Sequence, residues 1–193
     1  MFVWLFEPAR RVAEAGDKPA TVKPQKSPIP WASLALIAGL TFFSSLLYYV
    51  FIINGALVFH EVGVTDSRDY AKIIFIPQFF ILAGAVLFRL LAAKGHRVLI
   101  GTFLLLLGGG LAGIGLATTA TAMAMALIVQ QTAAGMAVPS LISWAQTKFD
   151  SSHRGLGMGV WTAAFFLAQS QSPKLVHMID ASLNSMQGAF LVM

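Results

Sequence analysis

Cysteine is absent from the 193-residue chain, and charged side chains make up only 11% of it. Without cysteine there are no disulfides, thiolate metal sites or cysteine nucleophiles. The low charge content excludes a soluble enzyme, a disordered tail and a conventional nucleic-acid binder, because a soluble domain is typically about 25% charged. Hydrophobic residues account for 57% of the chain, which indicates a polytopic membrane protein.

Five apolar stretches are long enough to cross a membrane, since about 20 helical residues span the hydrocarbon core. They cover residues 31–59, 70–92, 98–118, 121–145 and 156–176. We therefore predict an all-α transmembrane bundle over residues 31–193. Residues 1–30 are expected to end a truncated helix and to continue as a proline-rich cytoplasmic linker. A further apolar run begins at residue 186 and stops at 193, so both ends are expected to be cut from a longer chain.

Lysine and arginine are unevenly distributed over the connections between these spans. Ten of the 13 precede the first span or lie around the second and fourth connections, and the rest lie on the opposite side. Cytoplasmic loops carry an excess of these residues. Residues 7–30, 93–97 and 147–154 are therefore predicted to be cytoplasmic in a cell-membrane protein. The same rule explains the net charge of +5 without a nucleic-acid partner.

No catalytic or metal-binding pattern is present. The chain has no H-E-x-x-H and no G-x-S-x-G motif. His60 and Glu61 form the nearest acid/base pair and are expected to be solvated loop residues. The 13 basic and 8 acidic residues fall at or near the span ends, so no buried carboxylate is offered as a proton relay. We predict no enzyme activity, no metal and no cofactor.

Uncharged polar residues enter the first span at helical spacing. Thr41, Ser44, Ser45, Tyr48 and Gly55 fall within an arc of about 100° on that helix. A polar stripe on a membrane helix faces a water-filled cavity or hydrogen-bonds a neighbouring helix, and both alternatives stay open here.

Proline and glycine predict local features of three other spans. Pro77 is expected to kink the second helix just before Gln78. The Gly109-x-x-x-Gly113 pair on the third helix matches a small-x-x-x-small packing seam. Gly135 and Pro139 predict a bend in the fourth helix.

Three local motifs resemble the second half of a twelve-helix transporter of the major facilitator superfamily. Residues 7–10 (E-P-A-R) are similar to the E-P-x-R where the sixth helix enters the central cytoplasmic loop. Residues 94–97 (K-G-H-R) are similar to the tail of the loop motif G-x-x-x-D-R-x-G-R-R, although Phe88 and Ala92 replace its first Gly and its Asp. Residues 154–159 (R-G-L-G-M-G) resemble the R-G-x-G-x-G that opens the eleventh helix.

The resemblance implies helices seven to eleven, with stubs of six and twelve. It also implies alternating access around a site near the bilayer midplane between two halves. The polar and aromatic faces of the spans supply the candidate substrate-binding residues, which are Tyr48, Gln78, Gln130, Trp161, Phe165 and Gln169. The gating residues implied at the cytoplasmic loops are Gly95, Arg97, Arg154 and Gly155.

The expected partners are the lipid bilayer, a small organic solute and a missing N-terminal half. An aromatic ring beside an amide suits a neutral or weakly polar solute, because the ring covers an apolar face and the amide fixes its orientation. The alternative to transport is a membrane scaffold or remnant that packs against other helices and moves nothing.

Overall fold

The computed structural model describes residues 28–193 and is helical throughout that part of the chain, without a β-strand. The predicted linker and the E-P-A-R motif of residues 7–10 lie outside the described residues. The helices are α1 (Trp31–His60), α2 (Ser67–Gln78), α3 (Phe80–Leu91), α4 (His96–Leu116), α5 (Ala120–Gln146), α6 (Arg154–Leu183) and α7 (Met186–Val192), with a 3₁₀ turn at Ala92–Lys94. The all-α prediction is confirmed for residues 28–193.

Among the described residues, four helical segments are long and apolar enough to cross a membrane. They are Trp31–His60, Ser67–Lys94, His96–Leu116 and Ala120–Gln146. These segments closely match the first four predicted spans and indicate a multi-pass membrane protein.

The fifth predicted span, residues 156–176, lies within a longer helix. Helix α6 has 30 residues and continues beyond residue 176 to Leu183. Helix α6 is not among the four described segments that are long and apolar enough to cross a membrane. Its middle holds the polar run Gln169–Ser172, which lowers the average apolarity of the whole segment.

The second span is interrupted where proline predicts a kink. Regular helix ends at Gln78 and resumes at Phe80. Pro77 has no backbone N–H, so it cannot donate the hydrogen bond that would continue the helix. The N–H of Phe79 instead donates to the carbonyl of Ile76 at 3.1 Å. By contrast, α5 continues through Pro139 without a break.

Close helix contacts in the bundle depend on glycine. Helix α4 packs along α5, where a Cβ atom on Gly110 would lie 2.6 Å from the backbone nitrogen of Gln130. One on Gly113 would lie 2.8 Å from the Cβ of Ala126, whereas Gly109 has nothing within 4 Å. The predicted Gly109–Gly113 seam is therefore wrong in its first member, and the packing seam runs through Gly110 and Gly113.

A carboxylate ties the end of α1 to the start of α7. The backbone N–H groups of Met186 and Gln187 both donate to Glu61, the latter at 2.8 Å. The side-chain amide of Gln187 donates in turn to the carbonyl of Ala117, just past the end of α4. Glu61 was expected to be merely solvated. Glu61 is exposed, but it accepts hydrogen bonds from N–H groups at the N-terminus of α7 that have no partner within that helix, and a negative charge is favoured at this position.

The orientation in the membrane remains a prediction, and the absence of cysteine makes it easy to test. Single cysteines replacing Lys94, Ser151 and Ser67, all exposed, are probed on intact cells with an impermeant thiol reagent. We expect labelling at position 67 alone, because the Lys/Arg asymmetry puts the other two inside. Labelling at position 94 or 151 but not at 67 would reverse the assignment.

Candidate functional site

Four aromatic side chains from α1 and α6 gather at one place in the bundle. Trp161 and Phe165 are four residues apart, so they share one helix face. Their rings stack with centroids 5.2 Å apart and planes 20° apart. The rings of Tyr49 and Tyr48 lie 5.4 Å and 6.0 Å from that of Phe165. We call Tyr48, Tyr49, Trp161 and Phe165 the aromatic cluster.

The cluster contains an unpaired hydrogen-bond donor. Trp161 is 7% exposed, and its buried Nε1 atom has no hydrogen-bond partner among residues 28–193. An indole N–H donates and cannot accept. A buried donor left unpaired costs about 1–3 kcal/mol. A ligand oxygen or a water molecule that reached this N–H would remove that cost.

The polar stripe on α1 is buried inside the bundle. Thr41, Ser44 and Ser45 are all buried, and in the described part of the chain none of their hydroxyl oxygens has a hydrogen-bond partner. Nearby, the Ser172 hydroxyl of α6 donates to the carbonyl of Leu46 at 3.0 Å and joins the two helices directly. The stripe therefore contributes unsatisfied hydroxyls to the helix packing and makes no side-chain bridge to a neighbouring helix.

Gln130 lies at the contact between α4 and α5. Its backbone faces Gly110 of α4. The side chain is 0% exposed, and within residues 28–193 neither its Oε1 nor its Nε2 has a hydrogen-bond partner. Gln130 is thus a second buried polar group without a partner, and it makes no hydrogen bond to Tyr48.

The other two predicted glutamines lie on the outer surface. Gln78 is exposed on α2, beside a shallow depression of about 310 Å³ formed with Ile74 and Phe75. Helices α2 and α6 make no contact with each other within residues 28–193. Gln169 is on α6, one turn beyond Phe165, and is exposed as well. Of the six candidate residues, the structure brings together Tyr48, Trp161 and Phe165.

The candidate gating residues occupy the two predicted cytoplasmic connections. Gly95 precedes α4 with φ +94°, a conformation that side chains disfavour, which explains the glycine there. Arg97 lies at the exposed start of α4, and Arg154 and Gly155 at the exposed start of α6.

Sequence reasoning missed two polar residues in α1. Tyr49 packs its ring against Phe165, although the stripe pattern selected its neighbour Tyr48. Asn54 is 1% exposed; its Nδ2 donates to the carbonyl of Val50 at 3.0 Å, and its Oδ1 is unpaired. Asn54 lies outside the arc of the predicted stripe. A search for any amide within a span, whatever its face, would have found it.

The described part of the chain holds no group of three or more histidine, cysteine, aspartate or glutamate side chains that could bind a metal ion. No family model matches the sequence, and no curated protein matches it.

Proposed function

We propose that this chain forms one half of an alternating-access transporter of the major facilitator type, which moves a small, neutral or weakly polar organic solute. The observation that carries the proposal is the aromatic cluster with its unpaired Trp161 N–H, within a bundle that buries further polar groups without partners. Protein interiors normally satisfy such groups. Their retention inside the bundle favours a site that a solute or water completes.

The pattern of helix contacts supports the architecture. The helices form two groups, α1 to α4 and α5 to α7, with α2 and α3 counted as one crossing. The first helix of each group packs against the middle crossing of the other, so α1 meets α6 and α5 meets α3. The third members, α4 and α7, pack against each other. Helix α7 has seven residues, and the proposal counts it as the start of a sixth crossing. With three crossings in each group, successive groups would run in opposite directions. Packing of the first helix of each group against the middle crossing of the other is expected of inverted repeats.

The polarity of α6 supports a second half. The hydroxyls of the exposed Thr162 and Ser170 donate to carbonyls of α6 itself, but the exposed Gln169 amide has no such bond within residues 28–193. An amide facing lipid is costly because hydrocarbon offers it no hydrogen-bond partners. A second helical half, or a water-filled cavity between the halves, would relieve that cost. The proposal therefore counts α6 as the fifth crossing, although its composition is less apolar than that of the others.

The charge distribution restricts the solute. No lysine, arginine, aspartate or glutamate occurs between Trp31 and Phe59 on α1, or between Arg154 and Lys174 on α6. The cluster thus offers ring faces, an indole N–H and tyrosine hydroxyls, but no counter-ion. A solute with an apolar face and a hydrogen-bond acceptor fits this chemistry, and a dianion would need cations from the other half.

The decisive experiment begins with the DNA on both sides of the reading frame, where we expect a six-helix partner. Both parts are expressed together, and membrane vesicles are tested for uptake of a neutral sugar, a monocarboxylic acid and an uncharged aromatic solute. Tyr48→Phe and Trp161→Phe should raise the apparent substrate constant by roughly tenfold, equivalent to about 1.4 kcal/mol of lost binding. Gln130→Ala tests the buried amide in the same way.

Leu105→Ala is the control, because Leu105 is an exposed side chain on α4 and should leave uptake unchanged. Expression of each variant is measured in parallel by fluorescence-detected size-exclusion chromatography. Absence of uptake of every solute, or unchanged uptake in Tyr48→Phe and Trp161→Phe, would contradict the proposed site and favour a scaffold.

A further inference from the structure

A large apolar groove separates one edge of α1 from α6 and plays no part in the proposed solute site. Its volume is about 510 Å³. The lining residues, none with a polar side chain, are Ala38, Gly39, Phe42, Val160, Ala163, Ala164 and Leu167. We call this the α1–α6 groove.

The exposed surface of α6 includes a polar arc and an apolar arc. Thr162 and Gln169 lie on the polar arc, which also includes the exposed Phe166. Val160 and Leu167 of the groove lie roughly 150° away around the helix axis. The polar arc suits a protein partner or water. The apolar arc suits the acyl chains of lipid, because it offers no group that water or a polar partner would bind.

The mouth of the groove has the features of a membrane interface. Trp31 begins α1 and is 71% exposed. It is 7 and 11 residues before Ala38 and Phe42, so all three lie on the same face of the helix. Exposed tryptophan is enriched at the level of lipid headgroups. Ala38 lies about 10 Å deeper along the helix, at 1.5 Å per residue, which places the groove within the hydrocarbon of one leaflet.

A positive charge lies at the same end of the bundle. Arg154 is exposed at the start of α6, six residues or about 9 Å before Val160. Helices α1 and α6 pack in parallel, because residues 38–42 of α1 share the groove with residues 160–167 and Leu46 meets Ser172 further along. Arg154 and Trp31 therefore lie at the same membrane surface. An arginine there complements a lipid phosphate.

We propose that the α1–α6 groove binds one acyl chain of an anionic phospholipid from the leaflet at which α1 and α6 begin, with the lipid phosphate at Arg154. Apolar burial holds the chain, and the guanidinium selects a negatively charged headgroup. The site is separate from the aromatic cluster and does not depend on transport.

The test uses the whole chain in vesicles of phosphatidylcholine that contain a small fraction of phosphatidylglycerol carrying a photoreactive diazirine on its acyl chain. After illumination, mass spectrometry locates the adducts. We expect adducts concentrated at residues 38–42 and 160–167. Gly39→Leu should lower them at least fivefold, because no atom lies within 4 Å of a Cβ at Gly39 and the new side chain fills the groove without displacing protein.

Gly108→Leu is the matched control, because Gly108 also has open space around it but lies on α4. Adducts in the groove should stay at the wild-type level in that variant. Arg154→Gln should lower labelling by the phosphatidylglycerol probe and leave labelling by a phosphatidylcholine probe with the same chain unchanged.

Three results would overturn the proposal. Equal labelling by the two probes in the wild-type chain would indicate ordinary surrounding lipid. Adducts spread evenly over exposed positions such as Leu105 would have the same meaning. A groove that stays unlabelled while Leu105 is labelled would show that a protein helix covers it.

Discussion

Replacing Gly135 with alanine should destabilise the protein by about 1–3 kcal/mol or more, because the added methyl group overpacks a backbone contact between two helices. A Cβ atom at Gly135 would lie 2.0 Å from the carbonyl oxygen of Ile81 on α3. The contact is reciprocal, since a Cβ at Gly84 would lie 2.1 Å from the carbonyl oxygen of Thr132 on α5. Backbone cannot rotate away as a flexible side chain can, so α3 and α5 must separate to accept either methyl group.

The measurement is the midpoint of thermal aggregation in detergent, followed by size-exclusion chromatography for wild type, Gly135→Ala and Gly84→Ala. Gly108→Ala is the control, because nothing lies within 4 Å of its Cβ. Alanine is favoured over glycine within a helix by about 0.8–1 kcal/mol, so this variant should be neutral or slightly more stable. A Gly135→Ala midpoint equal to that of Gly108→Ala would refute the close crossing of α3 and α5.

The same glycines show what the sequence can and cannot predict about packing. Long runs of leucine, isoleucine and phenylalanine place the first four spans, because the hydrocarbon core demands about 20 apolar residues wherever a helix crosses. A glycine-rich stretch predicts that two helices pack closely there, but it does not predict which of the glycines make the contact. Residues 108–110 are three consecutive glycines, and successive residues point about 100° apart, so the neighbouring helix selects Gly110 and leaves Gly109 open.

The limits of prediction at α6 have a different physical cause. Averaging along the chain lowers the apparent apolarity of a helix whose polar residues are covered by other helices or collected on one arc. In α6, Ser172 is buried against α1, and Gln169 belongs to the exposed polar arc. The sequence locates this helix but underestimates its length, since the helix continues beyond the apolar stretch to Leu183.

The candidate site is only partly predictable for the same reason. Trp161 and Phe165 are predictable as a pair, because four-residue spacing places both on one face. Which residues of α1 contact this pair depends on the rotation of α1 about its own axis. In the structure, the rings of the adjacent Tyr48 and Tyr49 both lie close to the ring of Phe165. The neighbour of Gln130 is not predictable in this way. The sequence places Gln130 on α5, but its contact with Gly110 of α4 depends on how the two helices pack, which no pattern in the sequence determines.

Gln130→Met is expected to stabilise the protein by about 1–3 kcal/mol, because it removes a buried amide whose oxygen and nitrogen both lack partners. Methionine is unbranched, fills a similar volume and leaves the Cβ contact with Gly110 in place. The measurement is again the thermal midpoint. Gln146→Met is the matched control, since Gln146 is exposed at the end of the same helix and should change little.

The two possible roles of Gln130 separate when stability and uptake are measured on the same variant. If the amide binds solute or the water beside it, Gln130→Met raises both the thermal midpoint and the apparent substrate constant, as expected where a site retains unsatisfied groups for function. If the amide has no functional role, the midpoint rises while uptake stays at the wild-type level. A fall in the midpoint would mean that the amide is satisfied in the membrane, by a buried water for example, and would contradict the expected stabilisation.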